Sequence, residues 1–123
     1  MSFLSGLAPH VHWGLRLSLA ATFLYHGLGK FPVGEFAQNF GMPLAVAWAV
    51  TVVEIVAGVF LIVGAFGQAI LTRIAGLIVI VIMIGAIALV HWKNGFSVMN
   101  GGFEFQLLML VTGLYFAARG NDV

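Results

Sequence analysis

Apolar residues run almost unbroken through four stretches of this 123-residue chain: Val11 to Lys30, Pro43 to Phe66, Ala69 to Trp92 and Phe103 to Ala118. The breaks between them carry proline, glycine, asparagine and lysine. A helix rises 1.5 Å per residue, so about 20 apolar residues cross the roughly 30 Å hydrocarbon core of a bilayer. The pattern predicts an all-α fold, an integral membrane four-helix bundle forming one domain over residues 1–123. Pro32 stops the first span, because proline cannot continue a helix without losing a hydrogen bond. Pro43 suits the first helical position of the second. Gly64 and Gly67 bracket a tight turn before the third span, Lys93-Asn94-Gly95 ends it, and Asn100-Gly101-Gly102 closes the loop that follows. The fourth stretch is the shortest, which predicts a helix that tilts little or begins earlier.

Between the first two spans the period changes. Val33, Phe36, Ala37 and Phe40 fall at i, i+3, i+4 and i+7, opposite Gly34, Glu35, Gln38 and Asn39, which marks a short amphipathic helix. Two turns cannot span a bilayer. This helix is expected to lie on the membrane surface as a connector, or to fold as a lid over the bundle mouth.

Composition sharpens the membrane reading. Charged residues make up 7% of the chain and hydrophobic residues 62%, with mean hydropathy +1.11, which a water-soluble domain could carry only by exposing large apolar patches. The formal charge of +1 comes without a basic patch, which excludes nucleic acid as a partner. Cysteine is absent, so thiolate chemistry, disulfide exchange and iron–sulfur ligation by this chain are excluded. The N-terminal segment lacks a basic n-region and Arg16 interrupts the apolar run, so the first helix is expected to be retained as a span. With four spans both termini share one side with Arg73, Arg119 and Arg16, against Lys30 and Lys93 opposite. By one residue this favours cytoplasmic termini.

Ionisable groups inside apolar helices are costly and mark function or buried pairing. Glu54 shares a helical face with Ala47, Val50, Thr51, Ala57, Gly58 and Leu61, mostly small residues that let neighbouring backbones approach, so Glu54 is expected to point inward. It is either a proton-handling or ligand-contacting carboxylate or half of a packing ion pair. In the first span Arg16, His26 and Lys30 lie within about 80° of one another and form one polar stripe, with Arg16 and Lys30 about 21 Å apart along the axis. In the third, Arg73 and His91 share one angular position with apolar residues between them, a face suited to a ligand with a polar head and an oily body. In the fourth, Glu104, Thr112, Tyr115 and Arg119 form a stripe expected to face inward. The expected groupings are Glu104 with His26 and Lys30 or His91 at one end, and Arg73 with Arg16 reaching toward Glu54 at the other. No Glu-x-x-His pair lies on any span, which argues against a di-iron carboxylate bundle. His26 and His91 could approach from two helices on one membrane side to ligate a haem, but histidines near membrane surfaces are usually not ligands, so neither metal nor haem is expected. No phosphate loop or nucleophile elbow is present.

Arg16 followed by Phe23-Leu24-Tyr25-His26-Gly27-Leu28-Gly29-Lys30-Phe31, then Phe40-Gly41-Met42-Pro43, Glu54, Arg73 and Gly101-Gly102-Phe103-Glu104 together resemble the DoxX family of small bacterial four-helix membrane proteins. The resemblance covers nearly the whole chain. It implies a bacterial inner-membrane protein acting as a subunit or accessory of a quinone-linked respiratory or redox complex. Partners would be the lipid bilayer, other subunits of a membrane oxidoreductase and further copies of the chain, and quinone would be the cofactor. Arg16, His26, Lys30, Glu54, Arg73 and Glu104 match recurring polar positions of that family. Its members continue past the last span with a Gly-rich turn and a Ser-x-Asp tail, which Arg119 to Val123 do not carry. The competing readings are a small proton-coupled transporter and a structural membrane anchor for a partner complex. A carboxylate with basic neighbours argues against the transporter, since a paired acid is a poor free proton carrier.

Overall fold

The computed structural model describes residues 1–123. Six α-helices follow one another: α1 (Ser2–Leu7), α2 (His12–Leu28), α3 (Val33–Asn39), α4 (Leu44–Gly64), α5 (Ala69–Ala86) and α6 (Glu104–Arg119). There are no strands. α1 lies outside the sequence expectation; it buries no residue and leaves Phe3, Leu4 and Leu7 exposed. Pro43 stands one position earlier than expected, as the extended residue that caps α4, not as its first helical residue. The third span also runs further than its apolar pattern. α5 loosens into a π-helical turn at Ile87–His91 and a 3₁₀ turn at Trp92–Asn94.

α4 and the continuous helix from Ala69 to Asn94 are long and apolar enough to cross a membrane, at 21 and 26 residues. At 1.5 Å per residue they measure about 31 and 39 Å. α2 and α6 have 17 and 16 residues, about 26 and 24 Å. Each short helix adjoins a folded-back segment, both on the same side of the bundle. α3 lies against the start of α4, where Val33 and Ala37 bury themselves on Ala47 with Phe36 and Met42 beside them. At α6 the loop from Gly95 to Phe103 is tied down by the Phe103 and Glu104 amides, which donate to the carbonyls of Gly95 and Phe96 at 3.0 and 2.9 Å. Trp92 stacks on Phe103 at 5.3 Å between ring centroids.

The long helices pack in the order α2, α4, α5, α6, and α2 and α6 meet only sparingly. Glycine sets the closest approaches. A Cβ at Gly76 would come within 2.5 Å of the Ala117 amide nitrogen and the Gly113 carbonyl, and one at Gly58 within 2.6 Å of Leu24. The main apolar cluster buries Leu19, Phe23, Leu61, Val79, Met109 and Phe116, apart from the smaller one beneath α3.

Candidate functional site

The inward face of α4 is the one its small residues predict: Ala47, Thr51, Glu54, Ala57, Gly58, Leu61 and Gly64 are all buried. Gly27 of α2 lies directly against this face, where an added Cβ would touch Ile55 at 2.8 Å and Glu54 at 3.3 Å. α2 ends one residue further on, and the chain turns under α3. Lys30 therefore reaches back into the bundle, and its Nζ donates to Oε2 of Glu54 at 2.8 Å and to the carbonyl of His26 at 3.2 Å. This is the only ion pair in the chain, and its side chains are 14% and 8% exposed. Phe36 of α3 covers the ammonium from 5.2 Å, a cation–π contact that partly replaces water. Two features thus surround this carboxylate within an apolar helix: the short bond to Lys30 and the aromatic ring over the ammonium.

Arg16 occupies a different node at the other end. It is fully buried and has no carboxylate partner. Its Nη1 donates to the Leu61 carbonyl at 2.7 Å and to Thr72 Oγ1 at 2.9 Å, its Nη2 to Asn121 Oδ1 at 3.3 Å, and its Nε reaches His12 Nδ1 at 3.5 Å. The Thr72 hydroxyl donates onward to Asn121 Oδ1 at 2.7 Å, and Asn121 Nδ2 donates to the Gly64 carbonyl at 2.7 Å. Phe116 lies 5.0 Å from the guanidinium carbon. The guanidinium thus joins α2, α4, α5 and the C-terminal segment through neutral acceptors alone.

The remaining polar residues are placed differently from expectation. The expected approach of Arg16 and Arg73 to Glu54 is not formed, because Lys30 reaches the carboxylate first and Arg16 is occupied by Leu61, Thr72 and Asn121. Arg73 is exposed and caps the end of α6, donating to the carbonyls of Ala117 and Ala118 at 2.9 and 2.6 Å. Lone carbonyls at a helix C-terminus attract such a cation. Glu104 does not meet His26 or Lys30; its Oε1 accepts from the Val98 amide at 3.0 Å and braces the loop. His91 lies 2.8 Å from the Gly101 carbonyl through Nδ1. The stripe of Glu104, Thr112, Tyr115 and Arg119 turns away from the interior, since Met109, Gly113 and Phe116 form the buried face of α6. The face of Arg73 and His91 also looks outward, with Leu77 and Ile84 exposed between them. Glycine decides both orientations: Gly76 and Gly113 must face each other to let two backbones touch. His26 is exposed, its ring edge-on to Tyr25 at 5.5 Å.

Three participants escaped the sequence reading. Thr72 is legible in principle, as a hydroxyl one residue, or 100°, from Arg73 on the buried side of α5. Phe36 belongs to the apolar stripe of α3, which gives no sign that a cation lies beside it. Asn121 lies in a polar tail where no periodic signal operates.

An all-α membrane protein with a roofed ion pair at one end and a sealed guanidinium at the other is the class that fold and site define. The chain belongs to the DoxX family, whose profile matches residues 12–92. It is 34% identical over 111 residues to the Bacillus subtilis (strain 168) protein named "Putative oxidoreductase CatD", covering 87% of this chain and 77% of that one. No solved structure matches it.

Proposed function

We propose that this protein is a membrane subunit or accessory of a quinone-linked redox complex, and that the Lys30–Glu54 pair with neighbouring His26 contacts a quinone head group or relays protons during its chemistry. The observation that carries this reading is the ion pair itself: a carboxylate bonded to Lys30 inside the apolar bundle, with an exposed imidazole one turn from the lysine. Family membership and the relative's oxidoreductase name support it. In this reading a partner subunit supplies the electrons. Its place is the bacterial inner membrane, crossed four times, with α2 and α6 completed by their folded-back segments and the termini on the cytoplasmic side. Arg73 and Arg119 at that end support the orientation.

A transport role has less behind it. Leu19, Ala20 and Phe23 of α2 and Ala57 of α4 fill the interior between Glu54 and Arg16, which leaves an apolar plug where a transporter needs a polar path.

The test is gentle purification of wild-type protein and of Glu54→Gln from the native membrane, followed by mass spectrometry of associated subunits and extractable quinone. Dehydrogenase or oxidase subunits and quinone are expected with the wild type, with quinone lost in the variant. A lone protein without quinone sinks the reading.

A further inference from the structure

α6 starts lower than α5 ends. Arg73 donates to the carbonyls of Ala117 and Ala118, so the end of α6 is level with the first turns of α5. From Arg73 the helix climbs about 32 Å to Asn94, whereas α6 covers only about 21 Å between Ala118 and Glu104. The loop from Gly95 to Phe103 makes up the difference, about 10 Å. Tryptophans place this loop in a membrane, because their rings collect at the interface. Gly27 lies against Ile55, so passing down α2 to Trp13 and up α4 to Trp48 separates the two rings by about 31 Å, the thickness of the hydrocarbon core. Gly64 meets Thr72, which puts Trp48 about 24 Å above that contact and Glu104 within about 3 Å of the same height. The loop therefore sits at the interface itself, with exposed Trp92 stacked on Phe103 at its base.

What the loop shows its surroundings is apolar. Phe96, Val98 and Met99 are 56%, 50% and 89% exposed, and no residue from Gly95 to Phe103 is charged. Its backbone is turned inward at the same time. Val98 donates to Glu104 Oε1 at 3.0 Å, Met99 to Ser97 Oγ at 3.2 Å, and Asn100 and Gly102 to the Ser97 carbonyl at 3.1 and 2.8 Å. Gly101 donates to the Val98 carbonyl at 3.0 Å, while Asn94 Nδ2 and His91 Nδ1 lie 3.1 and 2.8 Å from the Gly101 carbonyl. With Phe103 and Glu104 bonded to Gly95 and Phe96, every amide from Val98 to Glu104 has a partner within the chain, and only those of Phe96 and Ser97 lack one. A loop in water has no need of such closure, since solvent satisfies its amides. A non-helical segment meeting lipid does need it. Docked proteins take hydrogen bonds and a polar rim from their partners, and this tip offers almost no free backbone group and no charge. Its chemistry matches the boundary between headgroups and acyl chains.

We infer that the loop from Gly95 to Phe103 is an interfacial anchor, which seats Phe96, Val98 and Met99 in the bilayer just beneath the headgroups on the Lys30–Glu54 side of the bundle. Such an anchor needs no quinone and stands apart from the redox reading. The chain contains no cysteine, so one introduced thiol reports one place. Met99→Cys is labelled with bimane in the full chain and reconstituted into phosphatidylcholine vesicles whose lipids are brominated either close to the headgroup or close to the chain ends. Val81→Cys, at an exposed position in the middle of α5, gives the deep reference, and Glu35→Cys, on the polar face of α3, the aqueous one. The label at position 99 is expected to be quenched about twofold more strongly by the shallow bromines than by the deep ones, and the label at position 81 in the reverse order. At position 35 only iodide, supplied on both sides of the membrane, should quench. Phe96→Cys is expected to show the same depth as Met99→Cys and replaces it should that variant fail to reconstitute. A label at position 99 that iodide quenches as strongly as at position 35, with no effect of bromine, overturns the inference. Equal or stronger quenching by the deep bromines removes the loop from the interface and overturns it too. Iodide quenching in pure vesicles that disappears in native membranes assigns the tip to a protein partner, which also overturns the bilayer as its occupant.

Discussion

The two polar nodes of this bundle solve the same problem in opposite ways. At one end Arg16 is a cation sealed completely, with no counter-charge, and neutral oxygens from three other segments satisfy it. At the other, Lys30 and Glu54 neutralise each other beneath a single aromatic ring, and an exposed histidine stands one turn away. A sealed guanidinium with every neighbour occupied cannot receive a ligand without unfolding its surroundings. A short, partly exposed pair at the end of a helix can exchange partners at modest cost. The difference separates an element that builds the fold from one available for chemistry, although each is built around a basic residue in α2 or just past its end.

The largest effect that tests this contrast is expected at Arg16. Arg16→Ala removes a large buried side chain and strands the Leu61 carbonyl, which should cost about 3–5 kcal/mol in unfolding measurements in micelles. A loss within 1 kcal/mol, to the order of this estimate, would break the comparison by making the sealed node dispensable. Asn121→Ala comes next, since it leaves the Gly64 carbonyl and an Arg16 nitrogen without their partner. About 2 kcal/mol is expected, with the C-terminal segment becoming protease-sensitive at temperatures where the helices remain folded.

Smaller effects on stability should accompany larger effects on function at the other node. Glu54→Gln should cost about 1–2 kcal/mol, between the surface and the fully buried limits, because the Lys30 stem can carry its charge outward. Adding Lys30→Met should restore most of that loss without restoring quinone retention, measured on the same preparations by thermal unfolding and extraction. A double variant that regains quinone would show that the pair only packs. His26→Ala, at an exposed position, is expected to change stability by no more than about 0.5 kcal/mol while lowering quinone retention. Full retention would remove His26 from the site.

Much of the fold was legible because period and composition suffice for helices in lipid. The stripe of small residues around Glu54 named the buried face of α4, and the 3–4 spacing of Val33, Phe36, Ala37 and Phe40 named α3. α1 was missed because six residues carry too little periodicity to register. The candidate site was half legible: Lys30 and Glu54 were both singled out, but each was given other partners. Polar spacing on one helix says which residues share a face and nothing about which neighbour that face meets. On α6 the polar stripe points the wrong way, since the side carrying Met109 and Gly113 is the one that packs inward.

Sequence by itself determined the solvent, the helices and the roster of costly charges, because hydropathy and period are local and the bilayer permits few ways of satisfying a backbone. Only the tertiary structure decided the pairings. Gly27 brings α2 against α4 at the level of Glu54, so Lys30 and not Arg16 meets the carboxylate. Asn121, distant in sequence, completes the shell around Arg16. Likewise, that α2 meets α6 only sparingly while glycine closes the other three seams is set by the packing. Contacts of this kind depend on where two backbones can touch, which requires both helices in place.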